Sequence, residues 1–145
     1  MPRDYTQEAK KTLQILVGRI LKRNAETDTY KTLSITYKDL AERIGFEEPH
    51  SGNGFSAKIS EMLGMLGNML NAVGKSKGIN VPQIQALVVN QATGIPGEGI
   101  DGYIPGYSAS DESGRKALVQ QEYEAIINFG NDWNMVVEEI GTMFQ

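Results

Sequence analysis

Apolar residues along this chain recur with a helical period in some stretches and crowd into short runs in others. From Thr6 to about Asn24, Ala9, Leu13, Leu16, Val17, Ile20 and Leu21 return at three- and four-residue steps, which predicts an amphipathic helix with one buried stripe. Residues 25–33 read as a polar connector. The stretch Ser34 to Gly45 (SITYKDLAERIG) predicts a short helix: Thr36 is its N-cap, Asp39 completes an aspartate variant of the capping box, and Gly45 supplies the left-handed residue that ends it. The Pro, Gly and Asn content of Phe46 to Phe55 predicts a loop. A longer helix is expected from Ser56 to Val73, capped by Ser56 and stapled by Phe55, with Ile59, Met62, Leu63, Leu66, Met69, Leu70 and Val73 facing inward. Its methionines read as adaptable core filler. Gly64 and Gly67 each weaken that helix by about 1 kcal/mol relative to alanine, which makes sense where another backbone approaches closely. Gly74 is expected to end the helix, with Lys75 and Lys77 complementing its negative end.

Beyond that helix, Asn80 to Asn90 reads as a turn leading into a buried strand, Ile84 to Val89, rich in branched apolar residues. Gly94 to Gly106 is then a rigid loop with several positive-φ glycines. Residues 107–114 read as a loop in which Asp111 or Ser113 caps a short helix through Gln121, and Glu124 to Phe129 as a strand ended by the turn Phe129-Gly130-Asn131-Asp132. Asn131 or Asp132 caps a last helix, Trp133 to Ile140, closed by Gly141 and docked through Trp133, Val136, Val137 and Ile140. No internal repeat is visible. The expected fold is α+β and mostly helical: a winged helix-turn-helix core over 34–106, an N-terminal helix and connector over 1–33, and an acidic C-terminal strand-helix extension over 107–145, all within one domain spanning 1–145.

Composition narrows the class. With 145 residues, 40% hydrophobic and 22% charged, the chain can bury a real core and matches an ordinary globular protein. No apolar run approaches the ~18 residues of a membrane span, and the polar N-terminus lacks a signal-peptide core, so no membrane partner and a cytoplasmic location are expected. The absence of cysteine excludes disulfides, zinc-thiolate sites and a thiol nucleophile. Charge is unevenly spread: residues 1–33 carry seven positive and four negative charges, 34–90 five of each, and 91–145 two positive and nine negative. A basic face for nucleic acid must therefore be local. Lys10, Lys11, Arg19, Lys22 and Arg23, largely off the first helix's stripe, are either a solvated or a phosphate-contacting face.

Several motifs carry less chemistry than their letters suggest. Gly97, Gly99 and Gly102 match G-x-G-x-x-G, but a spacer separates them from the strand, and Pro105 and Gly106 follow where a helix should open, so nucleotide binding is rejected. His50, the only histidine, sits beside Glu47 and Glu48 without the further histidine or cysteine that a metal site or acid–base pair requires. Glu98 and Asp101, with His50, define the weakest class considered, a hydrolase. No cofactor, metal or catalytic residue is expected.

Thr36-Tyr37-Lys38-Asp39-Leu40-Ala41 with Gly45, then a helix, Asn80, a strand reaching Asn90, and a glycine-rich loop containing Gly102-Tyr103, follow one another in an order that resembles the DNA-binding domain of alkylguanine-DNA alkyltransferases and alkyltransferase-like proteins. The resemblance covers about half the chain. The family's Pro-Cys-His-Arg segment is missing: depending on a gap, Ala86 or Val88 stands near the cysteine's place, so alkyl transfer to a thiol is impossible. Alkyltransferase-like proteins also lack that cysteine and bind damaged DNA without repairing it. Lys58 is nearest to the family's arginine finger and offers charge without a planar fork. The segment FEEPHSGNGF is an insert between the two helices, and Tyr107 to Gln145 has no counterpart.

The resemblance implies that Tyr37 presses a phosphate and helps rotate a nucleotide out of the stack, that Lys58 fills the space left behind, and that Ser56 faces the groove. On the alternative structural view, Tyr37 caps the core and Lys58 is a solvated first-turn lysine. The leading expectation is thus a noncatalytic module that binds double-stranded DNA through Tyr37, Ser56, Lys58, Lys75 and Lys77. The alternative is a small immunity, antitoxin or phage-defence accessory factor whose acidic face, including Glu122, Glu124, Glu138 and Glu139, engages a basic protein partner.

Overall fold

The computed structural model describes residues 4–46 and 52–145, with the side chains of 52–54 and 56 excepted. Among them run helices α1 (Thr6–Leu21), α2 (Tyr30–Leu33), α3 (Tyr37–Ile44), α4 (Gly52–Lys77), α5 (Glu112–Phe129) and α6 (Asp132–Met143), with strands β1 (Ile35–Thr36) and β2 (Val88–Val89). The mostly helical α+β class is therefore the observed one.

Helix α1 buries the stripe expected of it, Ala9, Leu13, Leu16, Val17 and Ile20, against α4 and α6. Thr12 joins that face without leaving its hydroxyl unpaired, donating to the Glu8 carbonyl at 2.8 Å. In the connector, Thr29 and Thr32 form a reciprocal capping box that closes α2 as a single turn. Thr36 caps α3 by accepting from the Asp39 N–H, and Gly45 ends it at φ 65° in the left-handed region.

Helix α4 starts earlier and ends later than its sequence suggests. It begins at Gly52, so Ser56 lies inside the helix rather than at its cap. The edge-to-face contact of Phe46 with Phe55, and the tilted stacking of Phe46 on Tyr5, anchor this first turn in the core and outweigh the poor helix propensity of its glycines. At the other end the helix runs through Gly74 to Lys77, and Gly78 at φ 68° is the terminator. Gly74 serves the same turn from three residues inside. The Ile79 N–H donates to its carbonyl at 3.0 Å, and a Cβ there would lie 2.7 Å from the Ile79 oxygen.

The expected strand from Ile84 is also shorter. Ile84–Leu87 coil into a 3-10 turn, and only Val88 and Val89 pair, in parallel, with Ile35 and Thr36. The cause is the partner: in this parallel register Ile84–Leu87 would lie beside Lys31–Ser34, which α2 and its C-cap occupy, so β1 offers two residues and no more. Residues 81–89 are buried nonetheless.

In the C-terminal part the expected strand Glu124 to Phe129 is helical. Asp111 caps α5, accepting from the Gly114 N–H at 2.8 Å, and the helix runs 18 residues to Phe129. Val119 and Ile126, two turns apart on one face, are its buried anchors. A strand here would need a partner edge, whereas a helix satisfies its own backbone. Gly130 turns the chain, and the Trp133 indole N–H returns to the Ile126 carbonyl at 2.9 Å. Helix α6 passes through Gly141 to Met143 and buries Trp133, Val136 and Ile140, leaving Val137 half-buried.

Candidate functional site

Residues 94–106 do not project from the body. They fold back across α4 with Glu98–Gly102 as a 3-10 turn, and the glycines with positive φ are Gly94 and Gly106, not the three of the G-x-G-x-x-G match. Three devices hold this segment. Tyr107 donates from its hydroxyl to the Pro96 carbonyl. Arg115 donates to the carbonyls of Tyr107, Ser108 and Ser110 and to the Glu98 carboxylate at 3.0 Å. Asp101 accepts from the Ser108 N–H, a bond that lowers its pKa from the usual carboxylate value. Glu98 and Asp101, the hydrolase carboxylates, are thus engaged in shaping the loop, and His50 lies outside the described residues.

The loop's main contact with α4 is a slot. Tyr103 lays its ring across Gly67 and bonds through its hydroxyl to the Gly64 carbonyl, 2.7 Å away, and to Asn68 Oδ1 at 2.9 Å. A Cβ on Gly67 would stand 2.5 Å from Tyr103 Cε1 and 2.7 Å from Gln85 Nε2, far inside van der Waals contact. The two helical glycines therefore admit an aromatic side chain and a glutamine amide, not the backbone expected from sequence.

Next to the slot lies a partly open pocket of about 30 Å³ lined by Tyr37, Ser60, Leu63, Gln85, Ile100 and Tyr103, among others. Its floor is apolar and its few polar groups are positioned. Tyr37 accepts the Gly97 N–H at 2.7 Å, which fixes the phenol at the rim, and burial raises the Tyr37 pKa while that bond pulls the other way. Gln85, only 3% exposed, donates from Nε2 to Gln83 Oε1 at 2.8 Å. Gln83 in turn donates from Nε2 to Asn71 Oδ1 and from its backbone N–H to Glu122 of α5. The chain of amides ends at Gln85 Oε1, which is buried and has no donor within hydrogen-bonding distance. A buried acceptor left in that condition costs about 1–3 kcal/mol.

The residues expected to bind DNA are only partly brought together. Tyr37 is at the pocket. Lys58 is half-buried on the turn of α4 just before Ser60, and the Ser56 backbone lies half a turn earlier, its side chain outside the described set. Lys75 and Lys77 are exposed at the far end of α4, where 19 residues from Lys58 to Lys77 amount to about 28 Å along the axis at a rise of ~1.5 Å each. Lys77 also pairs with Glu139 of α6 at 3.4 Å. Of the N-terminal basic residues, Arg19 donates to the Leu33 and Ser34 carbonyls and Arg23 to the Ile20 carbonyl, so both close local structure. Lys11 and Lys22 are exposed. Of the four acidic residues, Glu122 and Glu139 are engaged as above, and Glu124 and Glu138 face solvent.

Gln83, Gln85 and Tyr103 were not among the expected functional residues. The available signal was two glutamines alternating within an otherwise apolar run, where buried polar groups demand partners. No metal-binding group of three or more acidic, histidine or cysteine residues occurs among the described residues, and no helix among them is long and apolar enough to cross a membrane. No protein-family model, curated protein or solved structure matches this chain.

Proposed function

We propose that this chain is a noncatalytic double-stranded DNA-binding module of the alkyltransferase-like winged-helix type, which holds an unstacked base at the pocket beside Tyr37. The observation that supports it is the pocket itself: a tyrosine at the start of α3, the amino-terminal half of α4 and the glycine-rich loop meet beside Gln85, whose Oε1 is buried and without a hydrogen-bond donor. Lys58 and the backbone at Ser56 stand on the same end of α4. Lys75 and Lys77 contribute a separate phosphate contact at the opposite end of α4. With few cations in reach, affinity is modest and falls with salt as counterion release loses its drive.

Fluorescence anisotropy with short duplexes, plain and carrying an alkylated guanine, is the test, over a salt series with wild type, Tyr37→Phe and Tyr37→Ala. Circular dichroism checks that each variant is folded. Salt-sensitive binding that Tyr37→Ala weakens, with preference for the altered base, is the expected outcome. No binding at low salt rejects the proposal. An acidic face for a basic protein partner has less to work with, because Glu122 and Glu139 are already engaged within the fold.

A further inference from the structure

Gln85 lines the pocket from the 3-10 turn Ile84–Leu87. Its amide is buried, its Nε2 is committed to Gln83, and its Oε1 is the one polar side-chain atom found buried without a partner among the described residues. The other polar groups at the pocket are already bonded or stand at the rim. Tyr103 donates to Gly64 or Asn68, Tyr37 accepts from Gly97, and Ser60 is exposed.

We infer that Gln85 is the specificity-determining residue of this pocket and accepts a hydrogen bond from an amino group on a flat heterocycle, favouring amino-bearing rings such as adenine over the same ring without the amine. The volume supports this division of labour. About 30 Å³ admits a group the size of an amine, with the ring resting against the apolar wall of Leu63 and Ile100 and the tyrosines at the rim. The orientation of the acceptor is set from outside the pocket. Gln83 is held by its backbone bond to Glu122 and its side-chain bond to Asn71, so its Oε1 faces Gln85 and Gln85 Oε1 is turned away from it. Gln83 and Glu122 are therefore positioning residues. A ligand that supplies the donor removes an unpaired buried acceptor, whereas one that lacks it leaves the acceptor unpaired, and discrimination arises from that difference. The identification of the heterocycle as a nucleobase rests on the function proposed above; the donor requirement rests on the pocket.

The experiment compares adenine with purine, which has the same ring and no amino donor. Two duplexes, each with one unpaired nucleotide carrying either base, are titrated against the unaltered protein and against Gln85→Met. Adenosine and purine riboside are titrated separately as free nucleosides, by NMR of the glutamine side-chain amides. Wild type is expected to prefer the adenine duplex about tenfold, and Gln85→Met to bind both alike. Because the adenine–purine comparison uses the unaltered protein, it does not depend on the variant folding. Equal binding of the two duplexes overturns the assignment while leaving DNA binding intact. Preference for purine overturns it too, showing that the amide chain runs in the opposite sense with Nε2 toward the ligand. If neither duplex binds but adenosine shifts the Gln85 amide signals more than purine riboside, the DNA proposal fails and the donor-accepting pocket stands. If nothing binds, both fall.

Discussion

Replacing Gly67 with alanine tests the slot on which the loop and pocket depend. In an exposed helix this change stabilises by about 1 kcal/mol. Here the new methyl would sit 2.5 Å from Tyr103 Cε1, 2.7 Å from Tyr103 Cδ1 and 2.7 Å from Gln85 Nε2. Carbon–carbon contact is comfortable near ~3.5–4.0 Å, so the ring must retreat by about 1 Å or more. It cannot do so and keep its hydroxyl on the Gly64 carbonyl at 2.7 Å. Overpacking of this kind costs about 1–3 kcal/mol and the lost hydrogen bond about 1 kcal/mol. Set against the helix gain, the expected net is about 1–3 kcal/mol of destabilisation. Gly18→Ala in α1 is the control, since nothing lies within 4 Å of its Cβ, and it should stabilise by up to about 1 kcal/mol. Urea unfolding at equilibrium measures both, with unchanged m-values confirming that the compared states are the same. Tyr103→Leu should relieve much of the Gly67→Ala penalty in the double variant, which a double-mutant cycle reads directly. If Gly67→Ala stabilises as much as Gly18→Ala does, the slot does not constrain the fold and the reasoning fails.

Stability should be flat at neutral pH and fall on the alkaline side. Burial raises the pKa of Tyr30, Tyr37 and Tyr107, the last pushed up to about 12 with Arg115 opposing the shift. Unfolded tyrosines ionise near ~10, so the neutral form's advantage is fully present below that pH and is lost as pH rises through the folded values. Urea midpoints that hold steady or rise above pH 10 would contradict this. Asp111→Ala removes the α5 cap and should cost about 1 kcal/mol by the same unfolding assay, with no loss if the Gly114 N–H is equally well served by water. Glu139→Gln breaks a partly exposed ion pair, so the melting temperature should scarcely move while low-salt DNA affinity rises severalfold as Lys77 is released. Unchanged affinity would place Lys77 outside the DNA contact.

Local chemistry determined a good part of this protein. The stripe of α1, the Thr36 and Gly45 boundaries of α3, the Asp111 cap and the buried faces of α4 and α6 follow from residues within a turn or two of one another. A capping hydroxyl or a left-handed glycine acts on its immediate neighbours, and helical periodicity needs no distant partner. Tyr37 was recognisable as a candidate only through the family resemblance that its segment carries. Its bond to Gly97, 60 residues away, was not. Tertiary structure decided where competing local preferences were resolved. Ile126, Ile127 and Phe129 favour a strand by type, yet they are helical, with Ile126 buried and the Trp133 indole docked on its carbonyl. Val88 and Val89 pair and Ile84–Leu87 do not because β1 is two residues long. The pocket belongs wholly to this second category. Gly64 and Gly67 show only a weakened helix until Tyr103 arrives from 39 positions beyond Gly64, and Gln85 is an ordinary polar residue until packing buries its amide and leaves one oxygen without a donor.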